Sequence, residues 1–363
     1  MTAAASVLSR ARLIAAELLF PAAMAVDAAD CIPPGHLDAL AAAGFYGLAG
    51  PVSAGGLELD LATFCDVIEI MAGGCLATTF VWLQHHSAVR ALGSSSNLKL
   101  AAEWLAPLCR GTRRAGVALS AGRPSGGFGG SSPRQAAARP GGPLLRASAV
   151  RGGYVFDGSA PWVTGWGAID VLHTLARDDE GNVIAALLPL GPGAGSAPGG
   201  SDSITAARLP LVAVNASQTV ELTFSGHFVA AELVTGVQPQ ADWLATDAGG
   251  LRVNGSLALG VAGRCCQLIR SADRETADAL DRERAGLRVA LNAADATSLP
   301  TARAAASAFA YRAAGLLTVT AGSQSILSGA HPQRLAREAL FLLVFGSRPA
   351  IKTDLVARIG QNR

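Results

Sequence analysis

The stretch GGYVFDGSAPWVTGWG, residues 152–167, holds two of the chain's five tryptophans within five residues. Tyr154, Val155 and Phe156, aromatic and β-branched, predict a strand. The glycines beyond them serve a turn, but a turn has no need of Trp162 and Trp166. Two indoles around Thr164 predict a flat, apolar partner lying against this segment.

The composition limits what surrounds it. Of 363 residues half are hydrophobic and 15% charged, with a formal net charge of +2. This excludes disorder for the bulk of the chain and allows two or three domains around substantial cores. No basic stripe is present, so nucleic acid is not an expected partner. The longest strong apolar run, Leu340 to Phe345, is far short of the roughly 20 residues of a membrane-spanning helix. Glu17 and Pro21 interrupt the apolar N-terminus, which fits an amphipathic helix better than a leader, and a cytoplasmic location is expected. Six cysteines show neither a C-x-x-C pair nor a histidine spacing for zinc. Buried reduced thiols and no metal are expected.

Outward from the quoted strand, three regions follow. Residues 1–115 predict an N-terminal helical domain: PPGHLDALAAAG starts after a proline pair and stops at Gly44, and LATTFVWLQHHSAV is apolar on nearly every face, as in a buried helix. Residues 116–235 predict a middle antiparallel β-barrel or sandwich, with DDEGN a strong hairpin signal and FDGS a weaker one. GRPSGGFGGSSPRQAAARPGGP reads as a mobile linker. Residues 236–363 are helical again, with Pro300 and Pro332 starting helices, and predict a C-terminal four-helix bundle. The fold class is α+β, multidomain.

The order helices, β-domain, helices resembles that of the acyl-CoA dehydrogenase family. IPPGHLDALAAAGFYGLAGPVSAGGLELDLATFCDVIE resembles its N-terminal signature, YVFDGSAPWVTG its Trp-x-Thr hairpin, VELTFSGHFVAAELV its exit strand and HPQRLAREA its late C-terminal helix. The resemblance implies an FAD-dependent oxidoreductase that dehydrogenates an acyl thioester such as an acyl-CoA. It implies that Trp162 packs on the flavin ring, that Val163 and Thr164 bind beside it, and that Leu119 and Ser120 reach the pyrimidine edge. Arg274 matches an arginine that reaches a neighbouring subunit's FAD, and Arg252 one that lines the active-site mouth.

The sequence also departs from the family. The usual base is a glutamate about nine residues after an Arg-Asp pair, and here Phe345, Gly346 and Ser347 hold that place. The alternative position, in GGLRVNGSLALG, has no carboxylate either, and Asp247 reads as an N-cap. RETAD replaces the phosphate-gripping Arg-x-x-Phe-Gly, and TAGSQS keeps only Gly322 of the next motif. His86, beside His85 on a helix that by the resemblance borders the acyl pocket, is a candidate for proton transfer. Three functions remain open: a dehydrogenase with a displaced base, a half-site subunit paired with a sister chain, and a flavin monooxygenase on the same scaffold. A homo-oligomer or a mixed one is expected under each, because EALFLLVF is apolar over more than one face.

Overall fold

Apolar residues at helical spacing, Val7, Ala11, Ala15, Leu19, Ala23 and Val26, put one buried face on the N-terminus. It forms α1 (Ala3–Ile14), a π-helical turn (Ala15–Leu19) and α2 (Phe20–Ala28). The wider turn stands just before Pro21, which has no N–H to give to a regular ladder. The computed structural model describes residues 3–119, 144–191, 203–246 and 248–360. The glycine-rich linker, Ser120 and Asp247 lie outside them.

Four further helices complete the first region: α3 (Pro34–Ala42), α4 (Leu61–Gly74), α5 (Leu76–Gly93) and α6 (Leu98–Arg110). Asp60 and Asn97 cap α4 and α6, each accepting from a backbone N–H three residues on. Gly44, at positive φ, ends α3 where the sequence predicts a stop, and Gly111, also at positive φ, ends α6.

The strands are β1 (Ala115–Leu119), β2 (Leu145–Val150), β3 (Gly153–Val163), β4 (Val171–Arg177), β5 (Asn182–Pro189), β6 (Ile204–Arg208), β7 (Val220–Ala230) and β8 (Val234–Pro239). They join in one eight-stranded sheet of order β6-β7-β3-β2-β4-β5-β8. The sheet is mixed rather than antiparallel throughout. β1 runs parallel to β4, and β2 meets the same edge of β4 at one parallel pair, Arg146 opposite Arg177. DDEGN does make the β4–β5 hairpin, with Gly181 at φ +87° and Asp178 accepting from the Asn182 amide. FDGS makes no turn: it lies inside β3, opposite a stretch of β7 that carries one residue more and bulges.

The last region comprises α7 (Gln240–Thr246), α8 (Ala248–Ile269), α9 (Arg274–Ala293), α10 (Leu299–Ala321), α11 (His331–Val344) and α12 (Pro349–Gly360). α8 packs on α10 and also on α4. One apolar core therefore runs from Val7 through the first helices to Leu355, so the two helical regions share an interior while the sheet keeps its own. Glu69, buried on α4, takes hydrogen bonds from Arg284 and Arg288 on α9 and ties the regions together. Five of the six free cysteines are buried, and Cys31 is exposed. No helix among the described residues is long and apolar enough to cross a membrane.

Candidate functional site

Strand β3 is forced out of register where the tryptophan motif begins. Ala160 faces Leu222 and Val163 faces Val220, so β3 carries one residue more than β7 across this interval. Pro161, without an N–H, suits such a bulge. Trp162 sits in it at φ +64° with its side chain turned outward and 47% of the residue exposed. On either side the chain is closed: Val163 and Thr164 are buried, and so is Trp166.

A second strained turn supports the first. Val214 and Gln218 have φ of +52° and +48°, so three of the four non-glycine residues at positive φ among the described residues meet here. For β-branched Val214 that conformation is a true outlier, and each such residue costs on the order of 1–3 kcal/mol. The turn brings the Ser217 carbonyl to 2.8 Å from the Gly165 amide, which donates to it. It also lines up three buried hydroxyls: Ser217 Oγ lies 2.8 Å from Thr219 Oγ1, which lies 3.3 Å from Thr164 Oγ1. Gly116 of β1 closes the other side, where a Cβ would fall 2.5 Å from Ile169 Cδ1 and 3.3 Å from the Thr164 carbonyl. Leu119, at the end of that strand, is 42% exposed.

Helix α5 joins this site to the helical core. A Cβ on Gly165 would stand 3.2 Å from Val81 Cγ1. One residue earlier, Phe80 meets Phe341 and Phe345 of the α11 region edge-to-face, at 5.1 and 4.8 Å between ring centres. These three rings make an apolar wall. The turn after α11 is tightly held: the Arg303 guanidinium donates to the Leu342 and Phe345 carbonyls and to Ser307 Oγ. Gly346 has φ +60°, and its missing Cβ would fall 2.5 Å from Asn254 Nδ2 of α8. An asparagine amide thus stands against the turn that lacks the expected carboxylate.

Arg252, 4% exposed, opens α8 beside a cleft of about 370 Å³ that Leu61, Asn292 and Leu299 also line. It donates to Asn292 Oδ1 and Ser256 Oγ. Arg274, the first residue of α9, has an 83% exposed side chain, and its one ion pair among the described residues is with Asp278, at 3.9 Å. His86 has no ring contact with the Trp162 motif among the described residues. It is enclosed edge-on by Trp82, Phe64 and His85, and neither ring nitrogen has a partner among the described residues. Burial, with Arg90 and His85 adding to it, holds its pKa well below the usual histidine range, so the ring is neutral. His85 is likewise depressed by burial, to about 3, and its Nδ1 accepts from the Ala115 amide.

The ring side of this arrangement fits a planar heteroaromatic group: an outward indole on a bulge, with buried hydroxyls behind it. Sequence reasoning missed Ser217, Thr219 and Asn254. The only signal for the first two is the polar trio Ser217-Gln218-Thr219 before an apolar strand.

Residues 3–112 match the family model for the acyl-CoA dehydrogenase N-terminal domain. Benzylmalonyl-CoA dehydrogenase from Aromatoleum aromaticum is 29% identical over 216 residues, 59% of this chain. The match spans 52%, about half, of that curated relative's length. Butyryl-CoA dehydrogenase from Megasphaera elsdenii shares the fold with a TM-score of 0.80 at 17% identity, over 99% of this chain and 98% of that one. A glutaryl-coenzyme A dehydrogenase in complex with glutaryl-CoA (TM-score 0.77, 16% identity, 99% and 96% covered) and PigA with FAD and proline (0.78, 16%, 99% and 98%) share it too.

Proposed function

We propose that this chain, a member of the acyl-CoA dehydrogenase family, is an FAD-binding oxidoreductase subunit that works on an acyl thioester as one half of a mixed assembly. The observation that carries this is an asymmetry between the two sides of the site. The ring side is built at the expense of backbone strain, with Trp162 outward and Thr164 backed by hydroxyls. The proton-abstracting side is filled by Gly346 and the Asn254 amide.

FAD, when bound, supplies the hydride acceptor. Trp162 would cover the ring and exclude water, and Thr164 would place one donor at its edge, which is the protein's usual share of cofactor chemistry. Phe80, Phe341 and Phe345 give an apolar wall for an acyl chain. Removal of an α-proton calls for a positioned base worth about 10² to 10⁴ in rate. Neither residues 345–347 nor 248–260 contain a carboxylate. A sister chain supplies that base and the rest of the phosphate grip, and the exposed side chain of Arg274 is available to contribute to it. The monooxygenase alternative draws no support from His86, whose ring is walled in by aromatics.

The test is the visible spectrum and FAD stoichiometry of the chain purified alone and after co-expression with candidate sister chains. Weak FAD retention and no anaerobic bleaching by acyl-CoAs alone, both restored in a co-purified complex, is the expected result. One FAD per chain with full bleaching by the isolated chain would refute the half-site assignment and leave an independent dehydrogenase.

A further inference from the structure

The hydroxyls of Ser217, Thr219 and Thr164 form a closed, buried line, with exposures of 0, 2 and 2%. Each carries one hydrogen. Ser217 Oγ has no hydrogen-bond partner other than Thr219 among the described residues, and Thr164 Oγ1 has none other than Thr219. If the line runs from Thr164 inward, the Ser217 hydrogen is left buried and unpaired, which costs about 1–3 kcal/mol. If it runs outward, from Ser217 to Thr219 to Thr164, the hydrogen left over belongs to Thr164, at the head of the line beside the Trp162 bulge. Among the described residues only the outward direction leaves no hydroxyl hydrogen stranded behind the line, and it turns the remaining one, on Thr164, toward whatever acceptor binds there.

We infer that Thr219, with Ser217 behind it, is a positioning residue that fixes Thr164 as a hydrogen-bond donor toward an acceptor atom of the bound ring. The inference rests on the FAD assignment above and assigns roles to two residues outside the tryptophan motif. The oxidised flavin ring has a bare nitrogen acceptor at its central edge, whereas in the reduced ring that nitrogen carries a hydrogen. A fixed donor therefore favours the oxidised form. Aligned hydroxyls also polarise one another, so each strengthens the next. Val214 and Gln218, both at positive φ, flank the short turn that ends at Ser217 and leads into Thr219.

Thr219→Val keeps the shape and removes the hydroxyl, Thr219→Ser keeps the hydroxyl, and Ser217→Ala cuts the line one step further back. The readouts are the dissociation constant for oxidised FAD and the reduction potential of the bound flavin, measured on the flavin-loaded protein in the assembly in which it purifies. Thr219→Val is expected to weaken oxidised FAD about fivefold and to raise the potential by the corresponding amount, about 20 mV for a two-electron couple at roughly 30 mV per tenfold. Ser217→Ala should move both in the same direction by less, and Thr219→Ser should match wild type. Unchanged values in Thr219→Val and Ser217→Ala, or a Thr219→Ser variant as weak as Thr219→Val, would overturn the inference while leaving FAD binding intact. A wild-type assembly that takes up no FAD would instead overturn the cofactor assignment and the inference together.

Discussion

Gly346→Ala probes whether the place of the missing base is filled. The added methyl meets two penalties. At φ +60° an L-residue loses about 1–2 kcal/mol relative to glycine. Its Cβ would also lie 2.5 Å from Asn254 Nδ2, far inside contact distance, and overpacking of that kind costs about 1–3 kcal/mol. The sum expected is about 3 kcal/mol. Asn254→Ala removes only the second penalty. Alone it should be close to neutral, because the amide has no hydrogen-bond partner among the described residues and alanine is the better helix former. Combined with Gly346→Ala it should recover about 1–2 kcal/mol, a coupling of the size contacting residues show. Gly286→Ala, on an exposed face of α9 with nothing near its missing Cβ, is the control and should gain about 0.5–1 kcal/mol. Urea unfolding of the wild type and these four variants measures all of this. Additive single and double variants would show that Asn254 does not occupy the space beside Gly346, and the account of the lost base would fail.

Trp162→Gly removes an indole that is half exposed and relieves a positive φ, so fold stability should hold within about 1 kcal/mol while FAD affinity drops about tenfold; an unchanged affinity by fluorescence titration would remove the ring from this face. Burial lowers His85 to about 3 and His173 to about 4, so both stay neutral in the fold while the unfolded chain takes up protons below about pH 6.5. Stability is then full above that pH and falls as it drops toward 4, by about 3–4 kcal/mol between pH 6.5 and 5 for the pair, and a flat profile in that window would contradict their burial. Glu69→Ala leaves Arg288 without this carboxylate and Arg284 with Asp281 alone, and should cost about 1–3 kcal/mol; no measurable loss in urea unfolding would make the tie dispensable.

The sequence made the helix–sheet–helix order and the tryptophan motif legible because both depend on local pattern: periodicity, proline starts, glycine stops and an unusual pair of indoles. What it hid depends on contacts between distant segments. The outward turn of Trp162 needs the one-residue mismatch with β7, and that mismatch exists only once Ala160 faces Leu222 and Val163 faces Val220. The parallel pairing of β1 with β4 joins strands separated by a long glycine-rich stretch, and no turn signal marks such a pairing. On an all-apolar helix, likewise, sequence alone could not tell which neighbour each face of α5 meets. His86 lies against Phe64 and Trp82 while Phe80 and Val81 face the α11 turn and the tryptophan motif. Asn254 carried no pattern at all, since its part is played against a glycine 92 positions away.

The turn at residues 345–347 bears on whether the missing base is an accident or a built feature. A side chain lost by drift leaves a void, and a void in a packed interior is destabilising in proportion to its volume. Here the space is filled and the turn is held from two sides. Asn254 abuts Gly346, and Arg303, buried without a carboxylate partner among the described residues, donates to the last carbonyls of α11. Burial pulls the Arg303 pKa down to about 10, yet it remains a cation at neutral pH, and its charge opposes the negative end of the helix it caps. A buried cation committed to carbonyls is a demanding way to anchor a loop, and it leaves the loop little freedom to swing a catalytic group toward substrate. Rigid closure on this side and strained openness at Trp162 on the other fit a chain that presents one wall of a flavin site and relies on a neighbour for the rest.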